Sequence, residues 1–235
     1  MQFEDWSKRW EEARCDVGNF ELVLRRWRET PPKECKRLAE GRTCAFPNTV
    51  GYRKDPKDSR DKGEQKIERL FLGKEGELKN HFLKASPQDK IFKVVAVCHN
   101  VALATQKPGQ RITDCLGVIQ VGSKSHPLAV EVKVEADNCW FAVVENLQQI
   151  RMLKPNADNV RAYLAKHTPF MNCVGAWGMV LAPKAYYDDL THHLQESEML
   201  LDYLVKKKVE ARIILAEATE LEIARIRYRA GYWPK

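Results

Sequence analysis

The chain reads as a mixed α/β protein, with a central sheet, partly antiparallel, flanked by helices. Three observations predict this. Segments rich in β-branched and apolar residues (IFKVVAVCHNVALAT at 91–105, ITDCLGVIQV at 112–121, LAVEVKV at 128–134) are bounded by turn signals, as strands are. The short GSKSHP link between the last two requires an antiparallel hairpin. Stretches of helical spacing precede and follow them.

The elements follow in order. Residues 1–30 have a helical, aromatic pattern in which Trp6, Trp10, Phe20, Leu22, Val23, Leu24 and Trp27 interleave with charge. Pro31-Pro32 ends it, because proline removes a donor and disfavours helix before it. Residues 31–62 read as loop, and the doubly charged RKDPKDSRDKGE has the character of a connector. A helix is predicted from Glu64, with Ile67, Leu70, Phe71, Leu78 and Phe82 at helical spacing and breaks at Gly73 and Gly76. Lys107-Pro108-Gly109 is a turn between strands. Trp140 to Lys154 reads as a helix stopped by Pro155, and Asn159 to Lys166 as another. VGAWGMVLAP (174–183) reads as a buried strand. A long amphipathic helix is predicted over 185–208, with Leu190, Leu194, Leu200, Leu201 and Leu204 on its apolar side. Strand-like segments at 209–216 and 223–228 suggest a terminal hairpin. The organisation expected is a helical and loop extension over 1–62 and an α/β domain over 63–235.

Composition narrows the function classes. The 235 residues, 44% hydrophobic and 30% charged, suit a globular protein with one sizeable core. No apolar run approaches the ~20 residues that span a bilayer, and MQFEDWSKRW lacks the apolar stretch of a signal peptide. The expectation is a cytoplasmic protein without a membrane partner. Seven cysteines cannot all pair internally, and Cys98, Cys115, Cys139 and Cys173 lie in apolar segments as reduced core residues do. Cys35 and Cys44 lack the spacing of a zinc site. The net charge of +7 agrees with a polyanionic partner and with simple solubility.

The chemistry concentrates in residues 111–151. Asp114 sits in one apolar strand, and Glu131 and Lys133 sit in the next, inside PLAVEVKV. Alternation puts Glu131 and Lys133 on the same face. Charges in a run that otherwise reads as buried cost free energy unless paired or metal-bound. The E-x-K spacing alone is uninformative, since Glu34-Cys35-Lys36, Glu64-Gln65-Lys66 and Glu77-Leu78-Lys79 share it; an edge strand with acid and lysine facing water is the competing reading. Two carboxylates and a lysine on adjacent strands are what a magnesium-dependent phosphodiesterase needs. Asp114 and Glu131 can supply oxygens to Mg²⁺ or Mn²⁺, the Val132 carbonyl is a further hard ligand, and Lys133 can orient a metal-bound water or help deprotonate it.

Other groups carry less. His192-His193 point in different directions on a helix, Lys206-Lys207-Lys208 suit a helix C-terminus, His99 reads as a strand residue, and Ser123, Ser125 and His126 have no acid placed to complete a triad. Arg25, Arg26 and Arg28 accompany Trp27, a pairing of phosphate-binding and base-stacking residue types, whereas Asp55, Asp58 and Asp61 dilute the cluster around Tyr52, Arg53 and Lys54.

Asp114 in ITDCLGV, then Glu131-Val132-Lys133, then the helix ENLQQIRML resembles the PD-(D/E)xK nuclease superfamily, over residues 64–180, about half the chain. The resemblance implies a restriction-endonuclease-like fold and metal-dependent cleavage of nucleic acid, DNA favoured over RNA. It implies that Asp114 and Glu131 are metal ligands and that Lys133 positions water. A glutamate on the preceding helix would be Glu75, or Glu77 in its place, and the glutamine of the following helix Gln148 or Gln149. The chain departs from the family in having Thr113 before the aspartate and a wide Asp114–Glu131 interval. Two further readings stay open: a binding or interaction module on a nuclease-like fold that does not cleave, and a scaffold without a nucleic-acid role. Oligomeric state is open as well, a homodimer included.

Overall fold

The computed structural model describes residues 46–52, 63–85, 90–102, 112–134, 139–169, 175–187, 213–219 and 222–229. The helical pattern of 1–30, the clusters around Trp27 and Arg53, Cys35, Cys44 and Cys173 lie outside these residues, as do His192-His193, Lys206-Lys207-Lys208 and nearly all of the helix expected over 185–208. A helical turn occupies 184–187.

The first helix, α1, spans Gly63–Leu72. It is shorter than its apolar spacing suggests. Gly73 takes a φ of +76° and its N–H returns to the Arg69 carbonyl, the left-handed stop that glycine permits at a helix end. Leu78 and Phe82, expected to continue the helix, belong to the following strand or its approach. The strands are β1 (Lys79–Ala85), β2 (Lys90–Ala102), β3 (Ile112–Val121) and β4 (Lys124–Val132). Two helices follow, α2 (Cys139–Leu153) and α3 (Ala157–His167), joined by a 3-10 turn at Lys154–Asn156. Then come β5 (Trp177–Pro183), β6 (Ile213–Ala218) and β7 (Ile223–Arg229).

β1 to β4 form an antiparallel meander. β5 and β6 add in parallel, and β7 turns back antiparallel on β6. The sheet is therefore mixed, as expected. It also curls until β7 meets β1 in parallel at Lys84–Arg225 and Ala85–Ile226, closing a seven-stranded barrel. The β3–β4 hairpin is antiparallel, with a turn tighter than GSKSHP implied: Val121 pairs with Lys124, leaving Gly122-Ser123 as the link. The terminal hairpin exists as β6–β7.

Two apolar clusters sit on the two faces of the sheet. Alternate residues of the strands, among them Phe92, Val94, Leu128, Val130, Met179, Leu181 and Ile214, share one cluster with Ile67, Phe71 and Leu72 of α1. The opposite residues, including Leu116, Val118 and Ala129, pack under Met152, Leu153, Val160 and Leu164 of α2 and α3. Every residue of β4 after Lys124 is buried in consequence. Residues 46–52, on the extension side of the expected domain boundary, are pinned to this body. The Gly51 N–H bonds the Val97 carbonyl at 2.7 Å, and Phe46 stacks on Tyr163 with centroids 4.3 Å apart. Cys98 and Cys115 are buried free thiols, as their apolar setting suggested. Among the described residues no helix is long and apolar enough to cross a membrane.

Candidate active site

The β3–β4 ladder ends at Cys115–Val130. One step further, its register sets Asp114 against Glu131, and there side chains replace backbone partners. The Asp114 Oδ2 accepts the Val132 N–H at 2.7 Å. The Thr113 hydroxyl lies 3.1 Å from both the Val130 and Cys115 carbonyls. The two strands thus diverge while remaining stitched together, and the gap is occupied by carboxylates. On the other side of β3, the register between His99–Cys115 and Val101–Thr113 places Asn100 opposite Asp114. Asn100 has a φ of +53°, a left-handed conformation that asparagine tolerates better than most residues.

Glu131 is 4% exposed. Both of its oxygens are engaged: Lys133 donates to Oε1, and Gln149 Nε2 donates to Oε2. Gln149 is itself oriented, because its Oε1 accepts from Asn146 Nδ2 at 3.0 Å and lies 3.3 Å from the Thr113 hydroxyl. Asn146 also donates to the Ala129 carbonyl. α2 can bring these amides so close only because Gly178 of β5 has no side chain. A Cβ there would fall 1.8 Å from Asn146 Oδ1 and 2.7 Å from the Ile150 methyl.

A third carboxylate approaches from α1. Glu68 is raised from its ordinary value to about 7, first by burial and then by the charges of Glu64 and Glu131, with Lys133 opposing. Asp114 is raised well above the usual carboxylate range, first by burial and next by Glu131, against the pull of Lys133 and the Val132 amide. Burial alone would lower Lys133, but Glu131, Glu145 and Asp114 outweigh it and hold the ammonium above its usual value. Lys133 Nζ lies 3.5 Å from Glu145 Oε2. Glu68, Asp114, Glu131 and Glu145 thus crowd around one lysine. Like charges in a poorly solvated place must hold protons or gain a cation.

Asp114, Glu131 and Lys133 therefore meet at one place, with Val132 between them. The helix glutamine bonded to Glu131 is Gln149; Gln148 is buried one position along the same helix. Glu75 lies in the exposed turn after α1 and accepts from the Thr49 hydroxyl, and Glu77 is exposed beside it. The helix carboxylate at the site is Glu68, which the sequence reading missed. A signal existed: Glu68 precedes the fully buried Phe71 and Leu72 by three and four residues, so it lies on the buried stripe of α1.

Among the described residues no group of three or more His, Cys, Asp or Glu side chains is disposed to enclose a metal ion. Mg²⁺ does not need such a cage. It binds through one or two carboxylates and keeps several waters, and an excess of buried hard oxygen donors over cations is the environment that suits it. No family model, no curated protein and no solved structure matches the chain.

Proposed function

We propose that the protein is a metal-dependent nuclease that hydrolyses nucleic-acid phosphodiester bonds, with DNA favoured through the resemblance to PD-(D/E)xK nucleases. The observation that carries this reading is the surplus of carboxylates over cations around Lys133. Asp114, Glu131 and the Val132 carbonyl are the groups that would hold Mg²⁺ or Mn²⁺, with Glu68 adding a carboxylate. The bound ion would neutralise charge on the phosphoryl oxygens and acidify a water. Lys133, kept protonated by its acidic neighbours, orients that water and the phosphate and does not act as the base. Gln149 holds the Glu131 carboxylate in one orientation through Oε2, while Asp114 is fixed by the Val132 amide. A preoriented donor set of this kind lowers the reorganisation needed during the reaction.

One observation favours a second reading. Both Glu131 oxygens already have partners, a closed arrangement that also suits a nuclease-like module that binds nucleic acid without cutting it. A nicking assay on supercoiled plasmid with Mg²⁺ or Mn²⁺ separates the two. Wild type should cut and Glu131→Ala should not; the isosteric Glu131→Gln guards against loss through misfolding. Undiminished cutting by both variants would remove Glu131 from the mechanism. Salt-sensitive binding with no metal-dependent cutting by wild type would favour the binding module.

A further inference from the structure

The described residues expose two large hydrophobic side chains, Phe82 at 63% and Ile91 at 59%, and the strand register puts them together. Phe82 pairs with Lys93 and Lys84 with Ile91 across β1–β2, while Leu83 and Phe92 between them point into the core. The outward face of this hairpin therefore presents an aromatic ring and an aliphatic side chain with exposed Lys84 and half-buried Lys93 beside them. Lys84 and Lys93 lie on that face, and β1 and β2 carry no acid. The β1–β2 hairpin thus presents a wall with an exposed ring beside two lysines, in a chain whose whole net charge is +7.

We infer that this β1–β2 wall binds an unpaired nucleic-acid strand, with a base stacked on Phe82 and backbone phosphates on Lys84 and Lys93. Several features select this occupant. A second copy would bring lysines against lysines. A flat exposed ring among cations is the combination that single strands use, because every base offers a π-face and every linkage a charge. A paired base cannot stack on Phe82. The wall lies around the ring from the β3–β4 site, with β2 and β3 between β1 and β4. It is thus a strand-anchoring surface apart from the carboxylate cluster, and it does not depend on the nuclease reading.

The test is fluorescence anisotropy of labelled oligo-dT and of the matching duplex with the full chain in EDTA, where cleavage plays no part. Oligo-dT should bind, and Phe82→Ala should weaken it roughly five- to a hundredfold, the effect of deleting one stacking ring. Phe82→Trp should restore it. Lys84→Gln should reduce the slope of log affinity against log salt by about 0.7, one single-strand phosphate contact. Duplex affinity should be indifferent to Phe82→Ala. All these positions are on the outer face, and unchanged melting curves confirm that the variants fold. The inference is overturned if Phe82→Ala leaves oligo-dT binding unchanged, if it weakens duplex equally, or if it abolishes binding to phosphatidylserine vesicles while sparing oligo-dT. Loss of cutting in Glu131→Ala is a separate readout, so failure of the wall and failure of the nuclease reading are distinguishable.

Discussion

Replacing Glu68 with glutamine should stabilise the metal-free protein at neutral pH. Glu68 is displaced from 4.5 to about 7 by burial and by Glu64 and Glu131, so the folded state binds a proton there more tightly than the unfolded chain does. Between pH 4.5 and 7 the folded protein carries the extra proton, and stability falls as pH rises through that window. At ~1.36 kcal/mol per pH unit, the difference corresponds to about 3 kcal/mol, and to about 2 once residual solvent contact is allowed for. Glutamine keeps the shape and removes the ionisation. Its gain over wild type should therefore be absent near pH 4.5 and reach about 2–3 kcal/mol by pH 7.5.

Thermal melts in EDTA across this range measure the effect. A protein of this size shifts by roughly 2–4 °C per kcal/mol, so the two melting profiles should separate by about 4–12 °C at the upper end. Mg²⁺ should raise the wild-type curve at pH 7.5 and do less for Glu68→Gln, because a ligand stabilises by its affinity for the folded state. Parallel pH profiles for the two proteins would refute the reasoning, since they would mean that Glu68 is neither buried nor held in the field of Glu64 and Glu131. A site residue whose removal stabilises the fold is what the trade-off between stability and function leads one to expect.

Further predictions concern the frame around Glu131. Gln149→Leu should leave Oε2 of Glu131 and the Asn146 amide short of partners, at a cost of about 1–3 kcal/mol in urea unfolding. Gly178→Ala should cost about 1–3 kcal/mol by overpacking against Asn146 and Ile150. The same substitution should cost less in an Asn146→Ala background, a coupling that a double-mutant cycle reads directly. Tyr187→Phe should cost about 1 kcal/mol in the same assay, because the hydroxyl sits 2.9 Å from the Val180 and Ala216 carbonyls and has one proton to donate.

The strands were legible where their residues are β-branched and their turns short, as in the β3–β4 hairpin. Asp114, Glu131 and Lys133 stood out because charge inside apolar strands is conspicuous in one dimension. Glu68 did not, because in one dimension nothing sets it apart from Glu64 on the same helix, and only the depth of Phe71 and Leu72 does. Apolar spacing also overstates the length of α1. Leu78 and Phe82 match a helical period, yet the left-handed turn at Gly73 ends it, and strand pairing with β2 takes over. Barrel closure was invisible for a different reason. It rests on two residue pairs between β1 and β7, more than 130 positions apart, and nothing local encodes a contact of that range.

The placement of Glu131 explains why its neighbours are amides. β4 is covered on one face by the barrel core and on the other by α2, so a carboxylate there cannot be solvated and must be paired. Lys133 supplies the charge, but it is shared with Glu145 and Asp114, and one cation cannot satisfy so many acids. An amide donor stabilises the remaining oxygen without adding charge, and Gln149, locked by Asn146 and Thr113, delivers it in a single orientation. A second lysine in that position would neutralise the cluster and remove the attraction proposed for a divalent ion. Glutamine leaves the surplus negative charge intact while holding the carboxylate still. On that reasoning Gln149→Lys should be tolerated by the fold but lose the Mg²⁺-dependent rise in melting temperature, whereas Gln149→Glu should deepen the dependence of stability on that ion. Equal Mg²⁺ responses in the two variants would show that charge at the cluster does not govern cation binding.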